Sequence, residues 1–173
     1  VNALYRTRTH VLGDIISAQP VFVKKAVGKY TDTGYDTFST SVDSRTPMLY
    51  VSSNDGMLHA FYAGTSSSDT QGGEEAWSYI PRMVAPNLWK LADTNYKALH
   101  QFSVDGTPVV ADVYTGSAWK TILVAGLNKG GKGFYALDIT NPTAPKALWE
   151  FGYSATCYNG TAGTAGGDCN LGY

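Results

Sequence analysis

Few side chains in this sequence stand at spacings that would support chemistry. Cys157 and Cys169 are its two cysteines, separated by a loop rich in Gly, Thr and Ala. A zinc site would need two further ligands close by, yet His10, His59 and His100 are scattered, and no Cys-x-x-Cys redox motif occurs. The pair either closes a disulfide or stays as two thiols. We expect the disulfide, which implies an oxidising compartment and stabilises by about 2–3 kcal/mol on a chain-entropy estimate. Glu74 and Glu75 are adjacent, so on a strand they face opposite ways and cannot form one acid/base pair. His59 lies between Leu58 and Ala60 and reads as a hydrogen-bonded structural histidine in preference to a ligand or base. Asp138 precedes Ile139-Thr140-Asn141-Pro142 and reads as a turn-binding carboxylate. Gly130, Gly131 and Gly133 suggest a phosphate loop, but neither a helix signal nor Gly-Lys-Ser/Thr follows them. Gly-x-Ser-x-Gly and His-Glu-x-x-His are absent, and Asn54-Asp55-Gly56 is too short to supply the oxygens calcium requires. Asn159-Gly160-Thr161 fits a glycosylation acceptor and is read as accidental. No catalytic, cofactor-binding or metal-ligating residue is therefore assigned.

The elements that hold these residues follow from composition and pattern. The chain has 173 residues with 13 basic and 14 acidic side chains, a net charge of −1. That balance argues against a nucleic-acid partner, which would call for a basic surplus. Hydrophobic residues make up 43% and aromatics 13%, which excludes a disordered tail, and no apolar run approaches the length of a membrane span. With 19 Gly and 12 Tyr among many Thr, Ser and Asn, the mix suits short strands joined by tight turns. The chain begins without Met and without a basic-then-apolar leader, and we expect a piece of a longer protein.

A pass along the chain finds strand signals in a repeated order. Ile15–Val23 reads as a strand interrupted by Pro20, followed by Met48–Ser53, the turn Asn54-Asp55-Gly56, Met57–Tyr62, and Glu75–Ile80. The same series returns as Gly106–Val113, with Pro108, then Lys120–Gly126, the turn Asn128-Lys129-Gly130-Gly131, Phe134–Asp138 and Ala147–Phe151. Four strands per unit in a meander is the signature of propeller blades. The class expected is all-β: a partial β-propeller of about two four-stranded antiparallel blades, with long inserted loops and one short helix. The helix is placed at 86–93, where Pro86 precedes Leu88, Trp89 and Leu91 at near-helical spacing. Residues 24–46 read as a long loop or irregular hairpin. Within a 1–173 fragment of one propeller domain, 12–81 is the first blade and 82–104 the insertion with the helix. Residues 105–151 are the second blade, and 152–173 a Cys-closed loop leading to the next. Trp77 and Trp149 fall at matching places and are expected to pack the wedge between blades, sugar stacking being the alternative. Two blades do not close a ring, since propellers use at least four.

Several runs, in series, carry a family resemblance. They are Leu12-Gly13-Asp14-Ile15, Ser53–Phe61, Trp77-Ser78-Tyr79-Ile80-Pro81, Val104-Asp105-Gly106-Thr107-Pro108 and Gly130–Asp138. From about Leu12 to Phe151 the chain resembles the C-terminal β-propeller of the PilY/PilC family of type IV pilus biogenesis and tip-adhesin proteins. The resemblance implies a module without enzymatic activity that supports pilus biogenesis and surface adhesion. It places the protein in the periplasm, at the outer membrane or outside the cell, on the pilus or surface of a Gram-negative bacterium. The partners implied are other domains of the parent chain, minor pilins or the pilus tip, and a host-surface receptor, with neither nucleic acid nor a membrane span. No cofactor is implied for this fragment; the family's calcium loop, where the parent has one, lies elsewhere. Tyr62 departs from the pattern by standing where the second repeat has Asp138. The blades are also similar to those of pyrroloquinoline quinone dehydrogenases, in which Ala-Leu-Asp and then Leu-Trp mark each repeat. This chain, however, lacks adjacent cysteines and a cluster of acidic and amide ligands. A third reading is a scaffold that caps a pilus tip and binds no ligand. The loops 24–46, 64–73 and 81–101 are the expected partner surface.

Overall fold

The computed structural model describes residues 4–66 and 68–152. Cys157, Cys169 and Asn159 lie outside them. Two antiparallel four-stranded sheets are formed, each a meander in chain order. The first comprises β1 (Val21–Val23), β2 (Met48–Ser53), β3 (Met57–Tyr62) and β4 (Glu75–Tyr79), and the second β5 (Val109–Tyr114), β6 (Trp119–Gly126), β7 (Gly133–Asp138) and β8 (Lys146–Gly152). Two open sheets of this kind make a partial propeller.

The repeat extends to irregularities. Ala60 pairs with Trp77 and Ala136 with Trp149, and in each sheet the register shifts at the next residue, between Ala60 and Phe61 and between Ala136 and Leu137. Such a bulge bends the outer strand and increases its local twist, which favours a wedge-shaped blade. The inner strands β2 and β7 are buried along nearly their whole length. One apolar core joins the two: Met48, Tyr50, Leu58 and Ala60 from the first sheet meet Leu123, Ala125, Tyr135 and Leu137 from the second. Val84 and Val104, from the connection between the sheets, complete it. Each large aliphatic side chain fully removed from water contributes about 1.5–3 kcal/mol.

Three expectations need correction. The first strand starts after Pro20, not at Ile15, because the N–H groups of Ser17 and Gln19 bond to Asp105 and Thr107 of the second repeat. The helix expected at 86–93 is a 3-10 helix over Ala85–Ala92, with Pro86 in its first turn, and Leu88 packs on the core while Trp89 is exposed. It is also not the one helix: Tyr35–Ser41, inside the segment read as a loop or hairpin, forms α1. Its Asp, Thr and Ser are weak helix formers and Gly34 offers no side-chain cap. Tertiary contact holds it, since Tyr35, Phe38 and Val42 at helical spacing make a second small core with Ala26 and Trp119.

Candidate functional site

The Asn-Asp-Gly turn between β2 and β3 is a buried junction between the blades. Gly56 takes the left-handed φ of +93° that such a turn needs, but Asn54 and Asp55 are only 1% and 5% exposed. Burial obliges both to find partners. The Asn54 backbone N–H donates to the Asp14 carbonyl, and its side-chain amide donates to Asp14 Oδ2 at 3.2 Å. Its Oδ1 accepts from the Ser103 N–H, on the approach to the second blade, at 3.0 Å. The second repeat copies the arrangement. Asn128, following β6, donates its amide to Asp105 Oδ2 at 3.2 Å, and Asp105 Oδ1 accepts from the Ser17 N–H at 3.0 Å. Each blade thus has an Asp–Asn clasp, and each clasp also grips the chain entering the other blade. Close approach demands glycine here: a Cβ on Gly130 would stand 1.7 Å from the Ser103 carbonyl oxygen. The glycines that suggested a phosphate loop therefore serve packing, as Gly133 and Gly152 do against Met83.

His59 extends this junction. It is buried, with Nε2 3.1 Å from both Asp55 oxygens and Nδ1 2.7 Å from Glu75 Oε1. Asp55 also accepts from the Gly13 N–H at 2.8 Å. An imidazolium donates both N–H groups, one to each carboxylate. Burial pulls the His59 pKa down, but hydrogen bonds and charge from Asp55 and Glu75 outweigh it and raise the pKa above the usual 6.5. For Asp55, burial pushes up and the bonds from His59, Gly13 and Met57 win, holding the carboxyl below its ordinary value. A histidine whose folded pKa is raised contributes stability that is complete below pH 6.5 and lost as pH climbs through the folded pKa. The melting-temperature gap between the unaltered protein and His59→Gln should therefore be widest on the acid side of that value and narrow towards alkaline pH. Thermal melts across the range check this, and a gap independent of pH contradicts the charged pairing.

A further polar centre, with no place in the motif reading, fastens the 24–46 segment onto the second blade. Asp112, on β5, is 3% exposed and accepts four hydrogen bonds. The donors are the N–H groups of Val27 (2.6 Å) and Gly28 (3.0 Å), the Tyr35 hydroxyl (2.7 Å) and the Thr121 hydroxyl (2.8 Å). Burial raises its pKa, and these bonds more than reverse the effect, keeping it ionised well into acid. Arg45 adds a second fastening by donating to Thr121 Oγ1 and to the carbonyls of Lys24 and Lys25. Trp119 Nε1 donates to the Thr33 carbonyl at 3.1 Å. The signal in the sequence was a lone carboxylate within Val109-Val110-Ala111-Asp112-Val113, which burial would force into partnership.

The residues singled out from sequence separate by place. Trp77 lies at the blade junction, its ring 5.7 Å from that of Tyr50 and its Nε1 donating to the Pro142 carbonyl at 2.8 Å. Trp149 occupies the matching register position but is 48% exposed, on the outer strand of the second sheet. Asp138 accepts from the Thr140 N–H and from Lys120 Nζ at 2.7 Å, while its counterpart Tyr62 packs against the core. Glu75 starts β4 and turns to His59, whereas Glu74 precedes the strand. On β8, Glu150 accepts from the Tyr79 hydroxyl and the Arg82 N–H, another tie across the junction.

The chemistry open to these groups is limited by their commitments. The buried carboxylates among the described residues, Asp55, Asp105, Asp112 and Asp138, each accept hydrogen bonds from protein donors. They are dispersed over two blades, and no group of three or more His, Cys, Asp or Glu side chains suited to a metal occurs among the described residues. No helix among the described residues is long and apolar enough to cross a membrane.

Comparison with known proteins agrees with this architecture. Residues 12–173 match the family described as the PilY1 beta-propeller domain. The type IV pilus biogenesis factor PilY1 of Pseudomonas aeruginosa strain PAO1 is 44% identical over 156 residues, covering 86% of this chain. A PilY1 homolog of Xylella fastidiosa is 39% identical over 153 residues, covering 84%. The chain spans only 13% and 12% of the length of these two relatives. A crystal structure of the P. aeruginosa PilY1 C-terminal domain superposes with a TM-score of 0.57 at 36% identity, over 76% of this chain and 25% of that one.

Proposed function

This chain belongs to the PilY1 β-propeller family, and from that premise we propose that it is a non-catalytic binding and assembly module in type IV pilus biogenesis, contributing also to surface adhesion. The observation that carries the non-catalytic part is the commitment of every buried carboxylate among the described residues to a structural hydrogen bond. Groups so engaged hold blades and insertions in place, and the surfaces left for partners are the insertion 24–46, the loop 64–73 and the connection 81–101. The expected partners are minor pilins or the pilus tip, other domains of the parent chain, and a host-surface receptor. The site of action is the periplasm, outer membrane or cell exterior. No cofactor is proposed for these residues.

The test replaces residues 64–73, a surface loop between β3 and β4, with a two-residue turn in the parent protein. A parent carrying the short loop, secreted at its normal level, should lower the number of surface pili or attachment to host cells. Normal piliation and normal attachment with every one of the three loops shortened in turn would overturn the assignment of these loops as partner surfaces.

A further inference from the structure

The aromatic side chains that hold α1 also wall a cleft of about 570 Å³, within the range of small-ligand sites. Tyr30, Tyr114 and Trp119 line it with Asp32, Thr33 and Asp112. Trp119 stands between the two tyrosines, its ring centroid 5.3 Å from that of Tyr30 and 5.6 Å from that of Tyr114, with interplanar angles of 22° and 53°. The three rings are in contact through Trp119, against which Tyr35 and Phe38 also lie, and together the three form an aromatic wall on the cleft. The indole is fixed by its bond to the Thr33 carbonyl. Tyr30 and Tyr114 are 44% and 53% exposed.

Charge decides which ligand the cleft suits. Two of the lining residues carry carboxylates and none is basic. Asp112 contributes negative potential from behind the wall, while Asp32 forms no ion pair among the described residues. Of the cations nearby, Lys25 pairs with Asp43 and Lys120 with Asp138, Arg45 bonds Thr121 and two carbonyls and acts on Asp112, and Lys29, next to Tyr30 in the chain, is not among the lining residues. Ring faces attract a cation within about 6 Å of their centroids, and a carboxylate beside them adds to the attraction.

We propose that this cleft receives an organic cation: the lysine or arginine side chain of a protein partner, held against Trp119 and Tyr114 with its charge towards Asp32. The choice of a protein partner rests on the proposed role as a binding module; the cation chemistry does not.

Titration of the full chain with N-acetyl-lysine methylamide and N-acetyl-arginine methylamide tests it, followed by calorimetry and by the indole N–H resonance of Trp119. Saturable binding that weakens with added salt is expected, with no response to the uncharged norleucine analogue. Tyr114→Ala should weaken binding about five- to tenfold, and Asp32→Asn several-fold with a shallower salt dependence. Both positions are at the surface, and an unchanged Trp119 resonance in free Asp32→Asn, with an unchanged melting temperature for Tyr114→Ala, verifies that the cleft is intact. Equal response to norleucine, binding of neutral sugars alone, or no shift with either cation overturns the cation site. Binding of choline-headgroup vesicles without binding of the basic amides overturns the protein partner. Because the readout is binding to small probes, its failure is distinct from a failure of the pilus assignment, which is read in piliation.

Discussion

Replacing Asp112 with alanine is expected to lower the unfolding free energy by roughly 3–5 kcal/mol. The substitution strands two backbone N–H groups and two hydroxyls that now converge on one buried carboxylate. Each hydrogen bond to a charged group contributes about 1.5–3 kcal/mol, and water entering the gap would recover part of the loss. Asp112→Asn should cost less, because the amide keeps one acceptor but sets its NH₂ against donors. Urea unfolding measures the loss. Trypsin provides a local readout, since freeing the segment exposes the chain at Lys24, Lys25 and Lys29. A change within about 1 kcal/mol and unaltered cleavage would show that Arg45 and the aromatic cluster hold the segment without Asp112.

Trp77→Ala should produce the second large effect, a loss of about 3 kcal/mol, towards the low end for a large aromatic because the ring is half-buried. It removes the contact with Tyr50 and the bond to the Pro142 carbonyl, both at the seam of the blades. Trp149→Ala, at the matching position of the second sheet, should cost below about 1 kcal/mol in this chain because its ring is largely exposed. Melting temperatures of the two variants side by side give the comparison. Equal losses would mean that the two tryptophans have equivalent surroundings. In a longer protein, a third blade packed as the second packs on Trp77 would raise the cost at Trp149 to the level seen at Trp77.

The strands were legible because their signals are local. Short runs of strand-forming residues on either side of an Asn-Asp-Gly turn define β2 and β3 at the bounds observed, and β6 to β8 differ from their expected ends by a single residue. What escaped was set by distant partners. Ile15–Pro20 has strand composition, yet its N–H groups answer to side chains of the second repeat. The apolar stripe of α1, Tyr35, Phe38 and Val42, was present in the sequence. Weak helix formers between its members hid it, and a main packing partner, Trp119, stands on the far blade. The equivalence of Trp77 and Trp149 was legible as well, but their different exposure depends on what stands beside each sheet. Asp112 shows the limit most clearly, because a single carboxylate in a strand announces a need for donors without saying which.

The reciprocal clasps also order events in time. Translation releases the first blade earlier, and domains ordinarily begin folding from the end made first. Here the first blade cannot be completed alone: Ser17 waits for Asp105, 88 positions later, and Val27 and Gly28 wait for Asp112, 85 and 84 positions later. Contacts of such separation are closed late and slowly. Until the second blade emerges, Ser17, Gln19 and the 24–46 segment lack their partners there, and β1 is left with only three residues of pairing. The blade that leaves the ribosome first therefore stays unfinished until the second is made.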